Sequence, residues 1–412
     1  MRSGASIVCV CLSFALTSAG EQDGLLHVAG KTLFLIGIYE LPEGDAALQR
    51  MADSGINLFR CGNRAELDRV QASGAFGWVP LGVHQGATDA LREQVNALQD
   101  HPALAVWEGP DEIVWNFTAT STLKDSAGIT REDWVRQRPH AVAYAAQQAQ
   151  QIMPAMHQGI ALVRELDTYD RPFWMNEARD SDALYVRQYL DAVDVVGCDD
   201  YPVHALTRDM VRVLRATDRW TNLSRGKPVW MVLQAFSWHE IGKGEDPAWP
   251  SFDESRLMAY GVIAHGARGV LYWGSAYLRN ESFRTSLYAL TSELSALQPF
   301  LIAPEEPGVT VNLIEPDDRT SRYGVAHLAR RAGTEWLVVL INQDDFAHLG
   351  TEVQGLTALG QRPLHLLYGE EVMTPDHLGS CITRLQAHEI KLFASDRKFE
   401  TSQREGRDFI GG

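Results

Sequence analysis

The chain has 412 residues, 45% of them hydrophobic, and 53 acidic against 37 basic side chains give a formal net charge of -16. That length supports one domain of barrel size plus a smaller one. The charge argues against nucleic acid or an anionic membrane as partner, since either needs clustered Lys and Arg.

Arg2, the apolar run Ile7 to Leu16 and the small residues Ser18-Ala19-Gly20 before Glu21 have the three-part layout of a secretory signal peptide. Cleavage is expected near Gly20, giving a secreted or periplasmic protein. The apolar core is shorter than the ~20 residues a spanning helix needs, and no later segment is apolar enough to span. Beyond the signal only Cys61, Cys198 and Cys381 remain, in apolar contexts that suit buried thiols and not a disulfide framework. No Cys or His spacing matches a structural zinc site, so neither metal nor cofactor is expected. Asn116, Asn222 and Asn280 head Asn-X-Ser/Thr sequons, which matter only in a host that glycosylates.

From Thr32 onward short apolar runs alternate with amphipathic stretches of helical length, the pattern of βα units around a parallel sheet. Strands are expected at Thr32–Pro42, Ile56–Gly62, Gly77–His84 and within HPALAVWEGPDEI (His101 to Ile113). A polar insertion over 114–139 and a long helical stretch follow. Four more strands are expected at Arg171–Ala178, Asp194–Val203, Lys227–Trp238 and Ala267–Ser275. Eight such units predict an α/β protein of the (β/α)8 barrel type over 21–302. At Ala303-Pro304 the composition changes to short strand-like runs separated by turns, predicting a small all-β, sandwich-like domain over 303–396. The polar tail, 397–412, is expected to be disordered.

In such a barrel the chemistry is sought at the C-terminal strand tips. Asp111 and Glu112 follow a Gly-Pro turn at the tip of the fourth strand, where apolar neighbours such as Trp107 would raise a carboxyl pKa and suit it to general-acid work. A solvated pair or a helix N-cap is the plainer alternative. Tyr39, Trp107, Trp174, Tyr201, Trp238 and Trp273 lie near strand ends and suit stacking on sugar faces, though Trp and Tyr equally pack between barrel and helices. His84 and Asn176 are candidate partners of sugar hydroxyls. Arg60 is either a binding residue or the partner of a structural carboxylate.

With Arg60 in LFRCG, Glu112 in GPDEI, Tyr201 in DDYPV, Trp273 in LYWGS and the run AHGARGVLYWG, residues 32 to 300 resemble the clan of retaining β-glycosidases that includes cellulases and β-galactosidases. The resemblance implies a glycosidase barrel acting on a poly- or oligosaccharide, with Glu112 as acid/base, an Arg on the second strand and aromatics on the sixth and eighth. Two departures stand out. Asp111 replaces the Asn that precedes the clan's acid/base, and Gln234 stands where its nucleophilic Glu would be. A neutral amide cannot attack an anomeric carbon. Glu240 is a weaker substitute. An inverting enzyme would take its base from Asp199, Asp200 or Glu177. A substrate-assisted enzyme would use the acetamido group of an N-acetylhexosaminide, oriented by Asp111. A non-catalytic carbohydrate-binding barrel is the rival from outside enzymology.

Overall fold

The computed structural model describes residues 23–118, 127–243, 246–274, 276, 278–315, 324–345 and 348–411. The expected signal peptide lies outside them.

Eight parallel strands close a barrel: β1 (Leu35–Ile38), β2 (Leu58–Arg60), β3 (Phe76–Pro80), β4 (Leu104–Glu108), β5 (Phe173–Ala178), β6 (Val195–Asp199), β7 (Val229–Gln234) and β8 (Gly269–Trp273). Seven fall inside the expected apolar runs, β3 begins at Phe76, one residue ahead of its run, and β8 pairs with β1 to complete the circle. The strands are buried on both faces because helices cover the outside and side chains fill the inside. Side chains alternate in and out along each strand. On β5, for example, Trp174 and Asn176 face the interior while Phe173 and Met175 pack outward.

Four large aromatic residues, Tyr39, Trp78, Trp174 and Trp230, fill the barrel interior, mostly edge to face; the Tyr39–Trp78 and Trp78–Trp174 centroids are 5.3 and 5.9 Å apart. Such large rings require small neighbours at facing positions. A Cβ added to Gly197 would sit 2.5 Å from Trp174 Nε1, and one on Gly269 would sit 2.8 Å from the Trp230 ring. Alanine at Gly197 would therefore displace the Trp174 indole beneath the mouth. A hairpin of Leu26–Val28 and Lys31–Leu33 plugs the opposite end, with Leu26 fully buried and Trp230 Nε1 donating to Gly24 O at 2.8 Å.

The C-terminal strands form two antiparallel sheets. Thr310–Glu315, Leu349–Gln354 and Cys381–Leu385 make one; Val325–Ala332, Glu335–Asn342, Ile390–Ala394, Leu364–Leu366 and Val372–Met373 make the other. Val353 and Leu385 from the first sheet meet Trp336, Val338 and Phe393 from the second in a separate core, the sandwich arrangement expected. The other face of the larger sheet, with Leu337, Val339 and Leu392, joins the apolar shell around the barrel.

The tail departs from the expectation of disorder. Phe409 O accepts the N–H of Phe252 at 2.9 Å, Phe409 packs on Phe283, and Arg407 pairs with the buried Glu293 while lying 3.6 Å from the Tyr368 ring centre. Glu293 also binds Arg256 at 2.7 Å. A polar segment is ordered here because its aromatic and Arg side chains reach partners on both domains, the buried Glu293 and Phe283 on the barrel and Tyr368 on the other. Among the described residues the three cysteines are free and buried, and no helix is long and apolar enough to cross a membrane.

Candidate active site at the barrel mouth

Strand alternation brings Tyr39, Arg60, Glu108, Asn176, Asp199, Gln234 and Trp273 to the inner rim at the C-terminal ends of the strands. Glu108 was not among the expected site residues. It is the last residue of β4, in phase with the inward Val106 and out of phase with Trp107. That parity was the available signal, obscured by the more conspicuous Asp-Glu pair three residues on. Glu108 is fully buried, and its Oε2 accepts Arg60 Nε at 3.1 Å and Trp78 Nε1 at 3.0 Å. Burial pushes its carboxyl up to about 7 against the opposing pull of Arg60. Arg60 also lies 5.7 Å from the Tyr39 ring centre.

Asp111 and Glu112 lie beyond the strand. Glu112 adopts a left-handed backbone, φ 50°, and its N–H donates to Asn176 O at 3.0 Å. A non-glycine residue held there is pinned by its surroundings. Its carboxyl lies beside that of Asp199, and two carboxylates so placed favour a state in which one of them carries a proton. Burial, and then the charges of Glu112 and Asp111, raise Asp199 well above the usual carboxylate range; burial, and then Asp111, raise Glu112, while the contact with Asp199 pulls it back down. The pair therefore titrates as a unit. Asn176 Nδ2 donates to both Asp111 Oδ1 and Asp199 Oδ2, at 2.9 and 3.1 Å, and joins the three carboxyls into one cluster. Asp111 is open to solvent from above, yet the concave walls displace enough water that burial raises it too.

Beside this cluster, after β6, β7 and β8, stands an aromatic platform. Tyr201 stacks on Trp273 with centroids 5.5 Å apart, and Phe236 meets both edge on. Trp238 stacks on His204 at 4.8 Å and reaches Tyr201 at 6.3 Å. Tyr39 OH, Asn176 Oδ1 and Glu108 Oε1 are buried without hydrogen-bond partners among the described residues, leaving polar atoms at the floor of the mouth.

Other expected site residues lie elsewhere. Glu177 faces out of β5 and accepts the N–H groups of Val114 and Trp115, at 3.0 and 3.3 Å, and Ser181 Oγ at 2.7 Å. It caps the short helix Ile113–Thr118 and so positions the Asp111-Glu112 loop from behind. Asp200 also faces outward and pairs with Arg212 at 2.7 Å and Arg179 at 3.5 Å. Gln234 reaches the nucleophile position on β7, but its Oε1 accepts Val203 N at 2.9 Å while Nε2 donates to Val203 O and Phe236 O at 2.9 and 3.0 Å. Its amide staples the loop after β6. Trp107 faces outward and donates to Asp167 at 2.8 Å, and Trp174 lies within the barrel interior below the mouth. His84 sits on the turn Val83–Gln85, which packs against helix Pro139–Leu166. Glu240 accepts Trp249 Nε1 at 3.1 Å in the loop after β7. Among the described residues no cluster of three or more His, Cys, Asp or Glu is arranged to hold a metal ion.

No protein-family model matches the chain, and no curated protein matches it. The β-galactosidase of Rahnella sp. R3 superposes with a TM-score of 0.50 over 90% of this chain and 99% of that one, at 12% identity. The likeness establishes the fold. It extends over the barrel and the appended β domain alike. The β-galactosidase of the haloarchaeon Halorubrum lacusprofundi matches with a TM-score of 0.45 at 12% identity, over 87% of this chain and 98% of that one. That of the psychrophilic Marinomonas ef1 matches with a TM-score of 0.43 at 12% identity, over 64% of this chain, which spans 60% of the length of that enzyme.

Proposed function

We propose that this chain is a secreted glycoside hydrolase acting on a poly- or oligosaccharide, with Glu112 as general acid. The cluster of Asp111, Glu112 and Asp199, tied together by Asn176 beside the stacked Tyr201 and Trp273, carries the reading. Crowded carboxyls keep a proton at the mouth, next to an aromatic platform of the kind on which sugar rings stack. Asn176 holds Asp111 and Asp199 in place, and burial favours the protonated form of the acid. Supporting the assignment to Glu112 and not Glu108 is access, since Glu112 is half-buried and Glu108 fully buried.

A substrate-assisted variant has one observation in its favour. Asn176 orients Asp111 beside the acid, where a carboxylate would steer the acetamido group of an N-acetylhexosaminide, and Gln234 supplies no nucleophile. The test is Glu112→Gln assayed on nitrophenyl glycosides and oligosaccharides of glucose, galactose, mannose and N-acetylglucosamine. Turnover of unactivated linkages should fall about 10²- to 10⁴-fold with sugar binding retained. A wild-type protein inert across the panel would remove the enzyme reading and leave a carbohydrate-binding barrel.

A further inference from the structure

Hydrolysis with Glu112 as acid requires a second group to activate water or attack the sugar. Asp199 sits in the same Asn176-held cluster as Glu112 and is coupled to it, so it stands on the acid's own side of the sugar and not across from it. Asp111 is held on the same side by Asn176. Glu177 and Asp200 face away, Glu108 is sealed under Arg60, and Gln234 is neutral.

One carboxylate approaches the mouth from elsewhere. Glu40 follows the inward-facing Tyr39 past the end of β1, and both its oxygens accept the N–H of Gly274, at 3.3 and 3.4 Å. Gly274 is the residue after Trp273, so this contact ties the Glu40 carboxylate to the edge of the aromatic platform. The backbone there is specialised. Gly274 has φ 107°, and a Cβ would lie 2.7 Å from Phe236, which itself packs on Trp273 and Tyr201. In the closed order β1 neighbours β8 and lies opposite β5, whereas the Glu112 cluster spans β4, β5 and β6. The Tyr201 hydroxyl lies within electrostatic reach of Asp199, Asp111 and Glu112, and of Glu40 as well. A sugar ring laid on Trp273 would thus have a carboxyl on either side. Glu40 is half-buried, which leaves it access to water.

We infer that Glu40 is the second catalytic carboxylate, the general base of an inverting hydrolysis. The inference rests on the glycoside hydrolase reading above. Glu40 takes a proton from a water molecule as that water's oxygen bonds to the anomeric carbon. The glycosidic C–O bond breaks, its electron pair passes to the leaving oxygen, and that oxygen takes the proton of Glu112. Exchange with solvent restores both carboxyls, so atoms and charge balance without a co-reactant.

The test uses the full chain on whichever glycoside of the panel the wild type cleaves, with the product anomer read by proton NMR. The wild type should release the inverted anomer. Glu40→Gln and Glu40→Ala should lower kcat about 10³-fold with KM changed only a few-fold, and sodium azide should partly rescue Glu40→Ala by giving a glycosyl azide. Glu112→Gln should instead spare dinitrophenyl glycosides, whose leaving group needs no acid. A retained anomer, or Glu40→Ala within a few-fold of wild type while Glu112→Gln is impaired, overturns the role of Glu40 and leaves the hydrolase standing. A wild type inert on the whole panel overturns both. Binding of the product sugar by Glu40→Gln shows that the variant is folded.

Discussion

Glu112, on the loop after β4, and Asp199, at the end of β6, bring their carboxyls together at the mouth, so the charge of each raises the proton affinity of the other. Asn176 holds Asp199 in place at 3.1 Å. Water is the normal stabiliser of ionised carboxylates, and the walls of the mouth have displaced much of it. Three further consequences of the same physics can be measured.

Glu177 makes stability depend on pH. Burial pushes its carboxyl from 4.5 up to about 8, because desolvation outweighs the hydrogen bonds from Ser181, Val114 and Trp115. A carboxyl with a raised pKa binds more protons in the folded state than in the unfolded one. Stability should therefore decline as pH rises from about 4.5 through about 8, at no more than about 1.4 kcal/mol per pH unit for this group. Glu108, pushed up to about 7, adds to the slope over the lower part of that window. In Glu177→Gln the difference between urea midpoints at pH 5 and pH 8 should shrink; a difference as large as in wild type would contradict this origin.

Gln234 is held by its amide. A glutamate there would turn a second acceptor toward the carbonyl oxygens of Val203 and Phe236, both of which now accept from Nε2. Gln234→Glu should cost about 2–4 kcal/mol at neutral pH, the range for leaving buried polar groups unpaired, and should not create a retaining glycosidase. Denaturant unfolding and product stereochemistry would check the two halves. A stable variant releasing the retained anomer would show that Gln234 merely replaces a lost nucleophile.

Arg60 neutralises a buried charge. Removing one partner of a buried ion pair costs about 3–5 kcal/mol because the other charge is stranded. Because Glu108, at about 7, can escape by taking a proton, Arg60→Met should lose at most about 1.4 kcal/mol more at pH 8, where Glu108 is ionised, than at pH 5, where it carries a proton. Glu108→Gln should be milder, since the Arg60 side chain is 38% exposed and can reach water. Equal losses for Arg60→Met at both pH values would argue against the ion pair.

The eight strands were legible because each is an apolar run long enough to cross the barrel wall, and Glu112, Asp199 and Tyr201 drew attention because each follows such a run. Which of two adjacent carboxylates faces the mouth was not. Asp199 and Asp200 differ only in parity along β6, and the strand's register against β5 and β7 decides it. Glu108 was hidden for the same reason, one residue out of phase with Trp107. Glu40 had no signal at all, because its partner is the backbone N–H of Gly274, 234 residues further along the chain. The tail was misjudged because polar composition describes solvation of the free segment and is silent about Arg407 finding Glu293 and Tyr368.

By itself, then, the sequence determined the barrel, the appended sandwich and the strand tips where chemistry would lie, since burial of local apolar runs is settled residue by residue along the chain. Only the tertiary structure decided which acids share a proton, which cap a helix and which meet an arginine on the outer face. Those outcomes depend on desolvation and on partners brought together from distant strands, and neither is a property of any short stretch of chain.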